Sequence, residues 1–289
     1  MTVLEVIQRS SEFLSHKGVE SPRLQVELLL SHALRIPRLR LYLEFDRRLT
    51  SGELDLLRGM MKRRGNREPL QHIIGSTSFC GLEMIVTPDV LIPRPETELL
   101  AEMAWGHIET LTAAAAGPVR VLDFGTGSGC LIVAILARCA AARGWALDVS
   151  EAALQIARRN ASRHLVADRL EFLLGDGFET LVGIEPFDLI VSNPPYVPSG
   201  EIETLAPEVR NHDPRRALDG GPDGLHFFRR LASEAKPFIL SCGKMMLEFG
   251  DGQEGDLEKI FIGQGWRIEA IRPDYSGRPR IMIAARGES

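Results

Sequence analysis

Apolar positions along the chain recur with two different spacings, and the change from one to the other divides it. In the first 65 or so residues the spacing is helical: Val3, Val6, Ile7, Phe13 and Leu14 form one face, and Leu24, Val26, Leu28, Leu29, Leu30 and Leu34 a broader one. Ser21-Pro22 sets a capping residue ahead of a proline suited to a first helical position. Thr50-Ser51-Gly52-Glu53 is a capping box that opens a helix through Leu54, Leu57, Met60 and Met61. These signals predict a small helical bundle over residues 1–75. Over 76–92 the pattern shifts to β-branched and other apolar residues, Phe79, Leu82, Met84, Ile85 and Val86, with Cys80-Gly81 as the turn of a linking hairpin.

From residue 93 to 289 short apolar runs alternate with helical patterns. Pro95-Glu96-Thr97-Glu98 starts a helix that runs to about Ala114, and Gly117-Pro118 closes that approach. Val119–Phe124, Trp145–Asp148, Leu170–Leu174 and Phe187–Ser192 read as parallel strands, and Lys244–Glu248 as a fifth. Arg267–Ile271 and Arg280–Ala284 read as an antiparallel pair. Strands alternating with helices predict an α/β fold with a Rossmann-like, largely parallel sheet and a terminal antiparallel hairpin. There is no internal repeat, and the only low-complexity tract is Ala113–Ala116.

Composition narrows the class without naming it. The 289 residues suit one large domain or two. A hydrophobic content of 44% and a charged content of 25% are those of an ordinary soluble globular chain. The net charge of −5 gives no push towards nucleic acid, and no direct nucleic-acid binding is expected. Cys80, Cys130, Cys139 and Cys242 lack C-x-x-C spacing and read as small hydrophobes in a reducing compartment. The histidines show no metal-ligand spacing, so no metal site is expected. Met1 is followed by a polar amphipathic segment, not a signal peptide, and no apolar run approaches the ~20 residues of a membrane span. The expected location is cytoplasmic.

Candidate chemistry gathers after three of the strands. Asn193-Pro194-Pro195-Tyr196 follows the run that ends at Ser192, at the carboxyl end of a strand, where open α/β sheets bind ligands. The prolines have fixed φ and no N–H, so their carbonyls and that of Ser192 are expected to stay outside a regular ladder. A rigid cluster of acceptors suits an –NH2 group held by both hydrogens, the need of an enzyme that alkylates an amide or amino nitrogen. Taken alone, the tetrapeptide would be a turn. A second motif changes that: Gly125-Thr126-Gly127-Ser128-Gly129 lies between a strand and the apolar helix Cys130–Ala137. Its spacing is neither the dinucleotide fingerprint nor a P-loop. Asp148 ends the next strand about 20 residues on, where an acid suits ribose hydroxyls; its alternative is helix capping near Ser150. Asp176, in Gly175-Asp176-Gly177-Phe178, is placed to accept from an adenine amino group, and Phe178 to cover the ring; the alternatives are a plain turn and a core phenylalanine. Asp123 suits either a cationic amino group or bracing of the loop. Arg94 and Glu98 suit either the mouth of the site or a structural ion pair. Lys62-Arg63-Arg64 and Arg67 read as a solvated helix C-terminus, with contact to a partner as the alternative.

With these motifs the chain resembles the class I S-adenosylmethionine-dependent methyltransferases, and more narrowly the glutamine N5-methyltransferases that act on peptide chain release factors. The resemblance also rests on Glu68-Pro69-Leu70-Gln71-His72-Ile73-Ile74-Gly75, Leu91-Ile92-Pro93-Arg94-Pro95-Glu96-Thr97-Glu98 and Ala217-Leu218-Asp219-Gly220-Gly221-Pro222-Asp223-Gly224-Leu225. The segment Ile92–Glu98 is the most specific, because ribosomal-protein glutamine methylators differ after that proline and arginine. The resemblance implies S-adenosyl-L-methionine as cofactor, held by Gly125, Thr126, Gly127, Ser128, Gly129, Asp148, Asp176, Phe178 and Asn193. It implies Asn193, Pro194 and Tyr196 as catalytic and Asn193, Pro194, Pro195 and Tyr196 as substrate-binding. It also implies the glutamine of a Gly-Gly-Gln loop in class I release factors as target, with the N-terminal bundle docking the rest of that partner. Two positions depart from the family pattern: the turn Ala140-Ala141-Ala142-Arg143-Gly144 lacks a proline, and Phe178 stands where a tryptophan is common. The rival readings are a glutamine methylator of a ribosomal protein, an adenine N6-methyltransferase, and a cofactor-binding scaffold with a dead site. The adenine reading would require a basic, aromatic target-recognition region, which the leucine-rich leader is not.

Overall fold

Residues 1–113 and 117–287 are described by a computed structural model. They form two compact units, Met1–Ser76 with Ala206–His212, and Thr77–Leu205 with Asp213–Ser289.

The first unit holds α1 (Val3–His16), α2 (Pro22–Leu34), α3 (Arg38–Leu43), α4 (Ser51–Gly65) and α5 (Leu70–Ile74). Capping boxes start α1 at Thr2/Glu5 and α4 at Thr50/Glu53, each satisfying two backbone N–H groups that a helix start leaves unpaired. Val3, Ile7, Leu14, Val26, Leu29, Leu30, Leu41 and Leu57 meet in its core. α2 does begin at Pro22, but Ser21 is left-handed at φ 48° and its side chain makes no capping bond.

The second unit opens with β1 (Ser76–Phe79) and β2 (Leu82–Ile85), joined through Cys80 and Gly81 at φ 49° and 74°. Two successive left-handed residues make the tight turn that matches strand twist. Then come α6 (Pro95–Thr112), β3 (Val119–Phe124), α7 (Cys130–Arg138), β4 (Ala142–Asp148), α8 (Glu151–Arg163), β5 (Leu170–Leu174) and β6 (Phe187–Ser192). The chain continues through α9 (Pro207–His212), which clusters with the first unit, to α10 (His226–Glu234), β7 (Ile239–Glu248), α11 (Glu254–Gly263), β8 (Trp266–Pro273) and β9 (Pro279–Arg286). The expected end of α6 at Ala114 and most of the alanine tract lie outside the described residues; the helix is described to Thr112. β4 begins at Ala142, so the last three residues of the expected turn are strand, with Gly144 packed against the Ile132 and Leu170 side chains.

The large sheet has the order β5-β4-β3-β6-β7-β9-β8. β3 to β7 run parallel, and β9 pairs antiparallel with both β7 and β8. Alternate strand residues face opposite sides. Val121, Ala146 and Val191 meet Leu100, Ala104, Ile132 and Ile135 of α6 and α7 on one face. Leu122, Ile190, Leu247 and Met282 meet Phe228, Leu231, Leu257 and Phe261 of α10 and α11 on the other. Strand order reverses between β3 and β6, which opens a crevice at their carboxyl ends. Among the described residues no helix is long and apolar enough to cross a membrane.

The basic run at the end of α4 departs from the sequence reading. Arg64 is buried; its Nη2 donates to Glu208 Oε1 at 2.8 Å and its Nε to Gln25 Oε1 at 2.7 Å. Arg67 donates to both Glu208 oxygens at 2.7 Å, and Arg63 pairs with Glu68. Three of these cations therefore hold partners within the unit. The solvated-terminus expectation fails for Arg64 and Arg67, because Glu208, more than a hundred residues away, is folded onto them; Lys62 and Arg63 are exposed.

Candidate active site

β3 delivers Asp123 and Phe124 to the crevice, and the chain then turns through the glycine loop into α7. Gly125, Gly127 and Gly129 take φ of 74°, 55° and 76°. Asp123 is fully buried. Its Oδ2 accepts from Thr126 Oγ1 at 2.6 Å, so the carboxyl braces the loop. Burial pushes its pKa up to about 7. Asp148, at the end of β4, accepts from Gly127 N at 2.8 Å and from Ser150 N at 2.9 Å. Burial also raises its pKa, against those two bonds. Each oxygen keeps a lone pair beyond the one used, so Asp148 remains an acceptor towards the cleft. The N-cap of α8 is Ser150 itself, whose hydroxyl accepts from Ala153 N.

One cleft collects most of the expected residues. Gly125, Thr126, Gly127, Ser128, Asp148, Asp176, Asn193, Pro194 and Pro195 line it, with Arg94, Thr97, Asp123, Arg216 and Phe227. Gly129, Phe178 and Tyr196 do not. Gly129 backs onto α8, where an added Cβ would meet the Ala157 Cβ at 2.9 Å. Phe178 is stacked between Phe124 and Phe238, with ring centroids 5.0 and 5.4 Å away, inside the core. Its expected place over a bound ring is therefore corrected: three aromatic faces bury more area together than one does at a cleft wall. The aromatic side chains that line the cleft are Phe124 and Phe227, and the sequence reading missed both. Asp176 is exposed and shares its Oδ1 with Arg230 Nη1 at 2.8 Å.

Asn193 follows the last residue of β6. Ser192 pairs in register with Leu247 and donates its hydroxyl to the Phe124 carbonyl at 2.6 Å, so the residue belongs to the sheet. The Tyr196 carbonyl accepts from Gln253 Nε2 at 3.0 Å, and Val197 exchanges backbone bonds with Leu218 and Gly220. Gly220 must be glycine here, since a Cβ would lie 2.8 Å from the Pro195 oxygen. Among the described residues no hydrogen bond reaches the Pro194 carbonyl. The Asn193 Nδ2 donates to Thr97 Oγ1 at 3.0 Å, which leaves the Asn193 side-chain oxygen as the free end of the amide. Thr97 donates to Glu248 Oε2 at 2.6 Å, and Tyr196 to Glu248 Oε1 at 3.3 Å. Glu248 is buried, and burial raises its pKa to about 7.

Arg94 does not pair with Glu98. Its Nη2 donates to the buried Asp213 at 2.7 Å, while Glu98 accepts from the Cys80 backbone N–H at 2.7 Å. Burial raises the Asp213 pKa to about 6 against the pull of Arg94. A further residue with no sequence signal is Asn160 of α8. Fully buried, it donates to the Ser128 carbonyl at 2.8 Å and accepts from Ile85 N at 2.7 Å, so it ties the glycine loop to the end of β2.

A cofactor with a ribose, an adenine and a charged tail meets a suitable surface here. The space in front of Gly125 and Gly127 is open, with nothing within 4 Å of an added Cβ. Acidic acceptors flank it at Asp148 and Asp176, and Phe227 supplies an apolar wall. Residues 107–218 match a family model described as the methyltransferase small domain, and residues 5–75 one described as the PrmC N-terminal domain. A methyltransferase from Pyrococcus furiosus has the same fold, with a TM-score of 0.52 at 21% identity over 72% of this chain and 90% of that one. Sheet order and glycine-loop cleft together define a class I methyltransferase, a class that uses S-adenosylmethionine. The release factor glutamine methyltransferase of Geobacter sulfurreducens is 44% identical over 281 residues, 97% of this chain and 95% of that one. That of Rhodospirillum rubrum is 38% identical over 97% and 84%. The chain belongs to the release factor glutamine methyltransferase family.

Proposed function

We propose that this chain methylates the side-chain amide nitrogen, N5, of the glutamine in the Gly-Gly-Gln loop of class I peptide chain release factors. The observation that carries the reading is the pair of acceptors at the cleft, the Asn193 side-chain oxygen and the unpaired Pro194 carbonyl. Two acceptors on rigid backbone match the two N–H groups of a primary amide.

S-adenosyl-L-methionine would supply an electrophilic methyl group on a sulfonium. Gly125, Thr126, Gly127 and Ser128 would hold it by close backbone approach, Asp148 by the ribose hydroxyls and Asp176 by its free oxygen. Asn193 and Pro194 act on the other reactant. An amide nitrogen is a poor nucleophile because its lone pair is shared with the carbonyl. As that nitrogen becomes tetrahedral and cationic its N–H groups become stronger donors, so the two acceptors bind it more tightly than the ground state. That difference accelerates a reaction. Orientation of the two reactants adds up to ~7–11 kcal/mol. No strong general base is required, since the methylated nitrogen is acidic. Pro195 and the loop Leu218–Gly224 behind it keep the acceptors in place. The unit Met1–Ser76 with Ala206–His212 would dock the remainder of the release factor, and the hairpin over 76–92 would link it to the methyltransferase domain. The site of action is then the cytoplasm, where release factors work.

The test is transfer of labelled methyl to unmethylated release factor, beside a release factor whose loop glutamine is replaced. Label on the first alone is the expected result; label on both, or on neither with cofactor binding intact, overturns the substrate assignment. Asn193→Ala should lower kcat by roughly 100- to 1,000-fold, the cost of removing one preorganised polar contact to developing charge. Cofactor affinity should change little. Equal losses in both would remove Asn193 from the acceptor role.

A further inference from the structure

The Asn193 side chain is useful to an amide substrate in only one of its two orientations. Turned by half a rotation it presents –NH2 instead of oxygen. Nothing within the tetrapeptide decides between them. The decision is made from α6 and β7: Thr97 lies 96 positions from Asn193, and Glu248 lies 151 positions from Thr97. Thr97 Oγ1 is buried, and its proton goes to Glu248 Oε2 at 2.6 Å. Only its lone pairs remain for Asn193, so it meets the Asn193 N–H at 3.0 Å. The other Glu248 oxygen takes the Tyr196 hydroxyl at 3.3 Å. A buried carboxylate is costly unless its oxygens are used; here both end a donor chain that starts in the Asn193–Tyr196 segment.

We propose that Glu248, acting through Thr97, is the positioning residue that locks the Asn193 amide with its oxygen towards the substrate nitrogen, and that the same carboxylate anchors Tyr196 behind the prolines. This rests on the acceptor role of Asn193 proposed above. Glu248 touches neither reactant; it sets the polarity of the contact.

The relay has a pH sense. Facing Glu248 are the Thr97 hydroxyl and Glu96 on α6, Tyr196 after β6, and Arg280 on β9, with Arg94 near Tyr196. Burial outweighs the pull of Arg280 and holds the Glu248 pKa at about 7. A proton on Oε2 would make that oxygen a donor to Thr97. The Thr97 proton would then turn to Asn193 and favour the reversed amide. The rate should therefore fall as pH drops through about 7.

The experiment uses the full chain with labelled S-adenosylmethionine and unmethylated release factor. Glu248→Gln and Thr97→Val should each lower kcat by roughly 100-fold, the scale of a small misplacement of a reacting group. KM and Kd for the cofactor should stay within about threefold. Thr97→Ser, which restores the hydroxyl, should recover most of the rate and serves as the folding control. The acid limb of kcat should disappear in Glu248→Gln. In an Asn193→Ala background Glu248→Gln should cost little more, because residues acting through one another are not additive. The relay is overturned if Thr97→Val and Glu248→Gln keep kcat within about threefold of the parent, if rate and cofactor binding fall together, or if the two losses add in full. Failure of the acceptor reading looks different: Asn193→Ala itself would keep its rate.

Discussion

Glycines of the Gly125–Gly129 loop all take left-handed φ, yet their surroundings separate them. An added Cβ at Gly127 would meet open space, whereas at Gly129 it would meet Ala157 of α8 at 2.9 Å. Gly129→Ala should therefore combine backbone strain with overpacking and lower stability by about 2–4 kcal/mol. Gly127→Ala should cost only about 1–2 kcal/mol of stability, from strain alone, and lose more in cofactor affinity because its methyl points to the cleft side. Urea unfolding and cofactor titration of both variants check this; a larger stability loss at Gly127 would contradict it. The contrast also explains the correction at Gly129, whose absent side chain serves helix packing.

Elements in the first unit are joined by one acid. Glu208 of α9 takes hydrogen bonds from Arg64 and Arg67 near the end of α4, and Arg64 is almost fully buried. Removing the acid leaves a buried guanidinium short of a partner. Glu208→Gln should destabilise this unit by roughly 1–3 kcal/mol. Trp105, Trp145 and Trp266 all lie in the other unit, so tryptophan fluorescence will miss the change. Hydrogen exchange of α4 and α9 should show it, and unchanged protection there would count against the clamp. Burial raises the Glu208 pKa, but the bonds from Arg67 and Arg64 prevail and bring it down to about 2. A depressed carboxyl stabilises fully above its unfolded value near ~4.3. The contribution is lost as pH falls through about 2.

Across the molecule the catalytic unit carries carboxyls shifted the other way. Burial raises Asp123 and Glu248 to about 7 and Asp213 to about 6. Unfolded carboxyls titrate near ~4. Between ~4 and ~7 the folded chain therefore keeps protons that the unfolded chain has released, and the contribution of these groups to stability falls as pH rises. Asp123→Asn removes one such group and keeps an acceptor for Thr126. Relative to the parent, this variant should gain stability as pH rises from 5 to about 8. Denaturation midpoints at the two ends test the sign, and a variant that loses stability relative to the parent as pH rises, or keeps a constant difference from it, would refute it.

Local signals were sufficient for most of the architecture. Helical spacing in the first 65 or so residues, the capping box at Thr50, the hairpin turn at Cys80-Gly81, the strand runs and the glycine turn all depend on neighbours a few residues away. They were legible for that reason, as was the place of Asn193 at the end of a strand. Tertiary structure alone decided which buried charges meet. It paired Arg94 with Asp213 instead of Glu98, folded Glu208 onto Arg64, and set Phe178 in the core with Phe227 at the cleft. It also joined Asn193 to Thr97 and Glu248. A buried donor or acceptor takes whichever partner the packed loops bring within about 3 Å. The sequence separation of those partners leaves no periodic or local mark.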